Sequence, residues 1–147
     1  MSMLTTEIIP TCGNGRIGGY DIVQESDMTR RLIGYCPQFD AIMDLLTPAE
    51  HLSLFAALRG IPTEDTKDVI EALINSCALQ KYRDIPAGRL SGGNKRKLSV
   101  AMSLIGGPSI VFLDEPSAGM DRFEHLEQSI CDWAKLAFRA RQALISE

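Results

Sequence analysis

The residues best suited to chemistry fall in three short runs. In the first, Leu90-Ser91-Gly92-Gly93-Asn94-Lys95-Arg96-Lys97, Ser91 can cap a following helix. Gly92 and Gly93 let backbone N–H groups approach a ligand, and the helix start adds a positive dipole end. Three cations in that first turn oppose the dipole, a conflict that a bound phosphate would relieve. The second run, Ile110-Val111-Phe112-Leu113-Asp114-Glu115-Pro116, puts two carboxylates where a buried parallel strand ends, the position at which open α/β sheets take ligands. Successive strand side chains point to opposite sides, so the acids divide their work. Asp114 is expected to hold a divalent cation through water and Glu115 to polarise an attacking water. In the third run, Gly34-Tyr35-Cys36-Pro37-Gln38-Phe39-Asp40, Gln38 is neutral, both donor and acceptor, and can reach a metal-bound water without adding charge. Ser117-Ala118-Gly119-Met120-Asp121 makes a tight turn just after the acidic pair.

These runs need a sheet and helices to hold them. Glu7-Ile8-Ile9 reads as a strand before a Gly-rich turn, and Arg16 to Ile22 as a second short strand. Gln24 to Arg31 suits a brief helix, and Leu32 to Cys36 a strand stopped by Pro37. Thr47-Pro48-Ala49-Glu50 combines a Thr cap, Pro at the first helical position and Glu three residues on. Leu52, Phe55 and Leu58 are expected on one buried face of that helix. Val69, Ile70, Leu73, Ile74 and Cys77 form the apolar stripe of a second helix. Leu98, Ala101, Leu104 and Ile105 share a phase after Ser91, and Gly106-Gly107-Pro108 stops that helix. Ile110 to Leu113 reads as a strand buried on both faces. A helix from Asp121 and a last strand at Ala143–Ser146 complete an α/β pattern around an all-helical stretch, 38–108.

The 147 residues carry 15 Lys+Arg against 19 Asp+Glu, a net charge of −4. That balance excludes a nucleic-acid-coating protein, and nucleic acid is not among the expected partners. No apolar run reaches the roughly 18–20 residues that span a bilayer, and the first residues lack the basic and apolar parts of a secretory signal. The four cysteines, Cys12, Cys36, Cys77 and Cys131, form no CxxC pair, and neither His51 nor His125 lies near one. Buried free thiols in a reducing compartment are expected, not zinc. His51 and His125 are both expected to face solvent.

Taken together, in this order and spacing, Gln38, Ser91-Gly92-Gly93, Asp114-Glu115 and Ser117–Asp121 resemble the Q-loop, signature, Walker B and D-loop of ATP-binding cassette (ABC) ATPase domains. EIIPTCG at 7–13, GYDI at 19–22, GYCPQFD at 34–40, LLTPAEHL at 45–52, LSGGNKRKL at 90–98 and IVFLDEPSAGMD at 110–121 look like subfamily A, whose members move lipids. Asn94, where most ABC proteins carry Gln, is a subfamily A trait. The resemblance implies a P-loop NTPase fold of the ABC ATPase kind, incomplete here. Residues 1–37 would be part of the ATPase core, 38–108 a helical subdomain bearing the signature, and 109–147 the core with Walker B and the D-loop. It implies ATP and Mg²⁺ as ligands. Glu115 would be catalytic, Gln38, Ser91, Gly92, Gly93, Asn94, Asp114 and Asp121 would bind nucleotide, and Gln38 and Asp114 would face the metal. The implied partners are a second nucleotide-binding domain, sharing the site in trans, and a transmembrane domain, for which Phe39, Ile42, Met43 and Leu45 are candidate contacts, internal packing of the four being the alternative. The implied place is the cytoplasmic face of a membrane, the chain itself being soluble.

The phosphate-gripping GxxxxGK[ST] loop does not occur in these residues. Met3-Leu4-Thr5 matches the tail of the helix that follows it in the family. Thr6 stands where the family has Gly, Arg122 replaces a Pro, and no His occupies the switch position. The chain alone is therefore expected to bind ATP weakly and hydrolyse it negligibly. The alternative reading is a non-catalytic interaction module derived from such a domain. The DNA-repair kind of ABC ATPase is disfavoured, because two short amphipathic helices are all that lies between Gln38 and Ser91.

Overall fold

The computed structural model describes residues 8, 11–39 and 41–114. Of the first expected strand only Ile8 is described, as an exposed bend. The expected helix after Asp121 and the strand at 143–146 lie outside the described residues.

Residues 16–22 do not run as one strand. Gly18 and Gly19 both take positive φ, 58° and 89°, the conformation of a two-residue hairpin turn that glycine adopts without strain. The chain therefore doubles back, and β1 (Arg16–Ile17) pairs antiparallel with β2 (Tyr20–Asp21). α1 (Ser26–Leu32) follows and runs directly into β3 (Ile33–Cys36).

β3 pairs in parallel with β4 (Ile110–Leu113), Ile33 opposite Ile110 and Cys36 opposite Leu113. Both faces of this pair are packed. Val111 and Leu113 lie on the larger core, whereas Ile110 and Phe112 join Tyr35 on the smaller one around Ile17, Ile22 and Ile33. Among the described residues β4 is nevertheless only half-buried, short of the full burial its composition suggests.

Between these strands the chain is helical. Thr47 caps α2 (Pro48–Leu58) through the expected reciprocal box: its hydroxyl accepts the Glu50 N–H at 3.2 Å, and Glu50 Oε2 accepts the Thr47 N–H at 2.7 Å. Leu52 and Ala56 are buried and Phe55 packs on the core, but Leu58 is 73% exposed, off the face it was expected to share. His51 is fully buried, contrary to expectation. Its Nε2 accepts the Met43 N–H at 3.0 Å, so Nδ1 carries the proton and donates to Thr47 O at 2.9 Å. α3 (Thr63–Ser76) buries Ile70, Leu73 and Ile74, with Cys77 beneath its end. Two 3₁₀ turns, Gln80–Tyr82 and Ala87–Arg89, lead to α4 (Gly92–Leu104).

α4 is the central helix. Every residue from Leu98 to Leu104 is buried, with α2, α3, β3 and β4 all in contact with it. At Gly34 a Cβ would sit 2.1 Å from the Ser103 carbonyl oxygen. The absence of a side chain there is what lets α4 lie against β3.

Candidate functional site

Parallel pairing brings Gln38 and Asp114 to the same edge. Cys36 and Leu113 are register partners, and the ladder runs one step further, with the Asp114 N–H on Cys36 O at 3.1 Å. Asp114 thus leaves β4 where Pro37 and Gln38 leave β3. A carboxylate and a neutral amide at adjoining strand ends make an oxygen donor set suited to Mg²⁺. Among the described residues no three His, Cys, Asp or Glu side chains gather as a metal cage. One carboxylate with one amide fits an ion that keeps waters and takes its remaining oxygens from phosphate. Glu115 and Asp121 lie outside the described residues.

Ser91 caps α4 as its sequence context implies, with extended backbone and its Oγ accepting the Asn94 N–H at 3.4 Å. At Gly92 a Cβ would meet nothing within 4 Å. No internal contact requires glycine there, and the helix entrance is open to a group from outside. Gly93 and Asn94 follow in the first turn, both partly buried. The approach to this entrance is braced by the segment after Gln38: Asp44 O accepts the Gly88 N–H at 2.9 Å, and Leu46 O accepts the Ala87 N–H at 2.9 Å.

The cations of the first turn do not behave as the sequence suggests. Lys95 pairs with Asp44 at 3.2 Å. Arg96 is buried, and its guanidinium donates to the carbonyls of Pro37, Gln38 and Asp114. Two of the three cations therefore have acceptors within the chain, and these two need no phosphate to explain them. The sequence held one signal for this burial. Leu98 to Leu104 contains no charged residue, the pattern of a helix enclosed all round, and Arg96 lies just before it, in line with the buried Ser99, Val100 and Ser103. His51 offered no comparable signal, because its partner is a backbone N–H in an irregular segment.

Near Gln38 the surface is apolar. Phe39 is 82% and Leu45 90% exposed, and Met43 is partly so, whereas Ile42 packs on the core. A groove of about 470 Å³ is lined by Pro37, Ala41, Phe55 and Met102 together with Arg30 and Arg59. Of the described cysteines, Cys36 and Cys77 are buried free thiols as expected, but Cys12 is exposed; Cys131 and His125 lie outside the described residues. Among the described residues no helix is long and apolar enough to cross a membrane.

The family model described as "ABC transporter" matches residues 1–118. Over 119 residues, 81% of this chain, the sequence is 48% identical to ATP-binding cassette sub-family A member 7 of Mus musculus. Over the same length it is 50% identical to the retinal-specific phospholipid-transporting ATPase ABCA4 of Homo sapiens. The chain spans only 6% and 5% of the lengths of these relatives. An ATP-binding subunit of an ABC transporter superposes with a TM-score of 0.77 at 21% identity, covering 94% of this chain and 57% of that one. The cassette MJ0796, in a dimeric post-hydrolysis state bound to ADP and Pi, gives 0.76 at 21%, covering 88% and 60%. The fold is that of an ABC ATPase cassette, in part.

Proposed function

The chain belongs to the ABC transporter family, and from that premise we propose that it is part of the nucleotide-binding domain of a subfamily A lipid transporter. In the complete protein, ATP hydrolysis on this domain drives lipid across the membrane, with the domain on the cytoplasmic face. The observation that carries this reading is the meeting of Gln38 and Asp114 at neighbouring parallel strand ends, with the Ser91–Gly93 helix entrance tied to the same edge through Arg96.

In this reading Asp114 and Gln38 would hold Mg²⁺, which would supply positive charge to offset that of the phosphates. Glu115 orients and polarises the attacking water. Ser91, with the amides of Gly92 and Gly93 and the side chain of Asn94, supplies donors to phosphate held by an opposing domain, and Asp121 lines the seam between the two. The open face at Gly92 suits such an approach from outside. Phe39, Met43 and Leu45 present apolar surface to the transmembrane domain. Ile42 supports that surface from the core.

A second reading, a non-catalytic interaction module, takes the exposed apolar side chains of Phe39 and Leu45 as its docking surface. One experiment separates the two. A strand–GxxxxGK[ST]–helix segment from an ABC ATPase domain is joined in register ahead of Met3, and ATP hydrolysis is assayed with Mg²⁺. The enzymatic reading expects turnover that falls at least ~100-fold in Glu115→Gln, the scale of losing a general base. No turnover, or turnover indifferent to Glu115, leaves the interaction module.

A further inference from the structure

Arg96 sits one turn into α4 at 2% exposure, between two partly exposed lysines. Its Nη1 donates to Pro37 O and, at 3.3 Å, to Gln38 O, while Nη2 donates to Asp114 O. The two ends of one rigid fork therefore hold two different strand ends, those of β3 and β4. A planar guanidinium with fixed donor spacing sets the separation of its acceptors in a way a flexible ammonium does less well. Burial raises the worth of the Nη bonds, since a desolvated cation has lost the water that would otherwise take its hydrogens. The same turn of α4 is anchored at Ser91, whose carbonyl accepts the Lys95 N–H at 2.9 Å and whose Oγ accepts that of Asn94.

We propose that Arg96 is a positioning residue that joins the Ser91–Gly93 helix entrance to the strand ends bearing Gln38 and Asp114, so that the three move as one body. A displacement of the segment after Pro37, where the apolar surface of Phe39 begins, is carried by this side chain to the helix entrance and to the Asp114 backbone together. Only the use of this coupling, relaying a partner's movement to the nucleotide, rests on the proposed function. The coupling itself belongs to the chain. A protein that turned over no ATP even with the GxxxxGK[ST] segment joined on would overturn the functional reading and leave this one standing.

The test is residue-resolved hydrogen exchange on the 147-residue chain, comparing wild type with Arg96→Met, which keeps bulk but cannot donate, and Arg96→Lys, which keeps a donor. The amides of Asn94, Lys95 and Asp114 report on the joined body, and those of Cys77 and Leu79, bonded to Leu73 O and Ile74 O, report on the fold at large. Arg96→Met is expected to speed the first three at least tenfold and leave the last two within threefold of wild type. Arg96→Lys is expected to return the three toward wild-type rates. Unchanged exchange at the three, equal acceleration at Cys77 and Leu79, or a Lys variant as fast as Met each overturns the proposal. Should Arg96→Met fail to fold, Arg96→Gln, with one amide in place of the fork, is read by the same criteria.

Discussion

At the scale of single residues, burial decides what each polar group can do. Arg96 and His51 both read as solvent-facing or ligand-facing from composition, and both are enclosed. Their acceptors and donors come from backbone distant in sequence or irregular in shape, which residue type and helical period do not encode. Ser91 was legible, because a cap depends only on its own helix. Asp114 and Gln38 were legible as strand-end residues, and their adjacency followed once β3 and β4 were parallel neighbours. The thiols illustrate the same rule. Burial pushes the Cys77 thiol up to about 12, whereas Cys12 is exposed. Only a thiolate alkylates readily, so iodoacetamide near neutral pH is expected to label Cys12 at least ~100-fold faster than Cys77. Peptide mapping by mass spectrometry checks this, with Cys77 released only on denaturation.

At the scale of elements, local punctuation was the most readable layer. The Thr47–Glu50 box starts α2 where its four residues say it should, and Gly106-Gly107-Pro108 follows the end of α4. The hairpin was missed because a two-residue Gly-Gly turn leaves strands only two residues long, too short for alternation to register. Leu58 was misplaced because α2 turns His51 and Ala56 inward beside Leu52, which depends on the 41–46 segment folding back over it. The contact that most constrains the site is between elements, at Gly34. A Cβ there would strike the backbone oxygen of Ser103 and the Pro108 ring, and backbone yields less readily than a side-chain tip. Gly34→Ala is expected to lower stability by about 3 kcal/mol, the upper part of the usual overpacking range, measured by urea denaturation. A variant within ~0.5 kcal/mol of wild type would mean that α4 does not press on β3 as described.

At the scale of the molecule, the surfaces left open are the ones the functional reading assigns to partners. The helix entrance at Ser91–Gly92 has room beside it, and Phe39 and Leu45 stand out near the Gln38 segment. The helix entrance was legible from Ser91-Gly92-Gly93, but the exposure of Phe39 and Leu45 was not, since an apolar residue after a strand packs inward as readily as outward, and the core position of Ile42 shows the inward outcome next door. The central claim is that this chain carries one jaw of a nucleotide site completed by another domain. The most direct measurement titrates the 147-residue chain into a subfamily A ATPase domain that bears GxxxxGK[ST] but has its own signature serine replaced by arginine, with Mg-ATP present. The account predicts that ATP turnover rises saturably with added chain and drops at least about tenfold with Ser91→Arg, as expected for removing phosphate-directed donors. Turnover that ignores the added chain, or that is the same with Ser91→Arg, would contradict it.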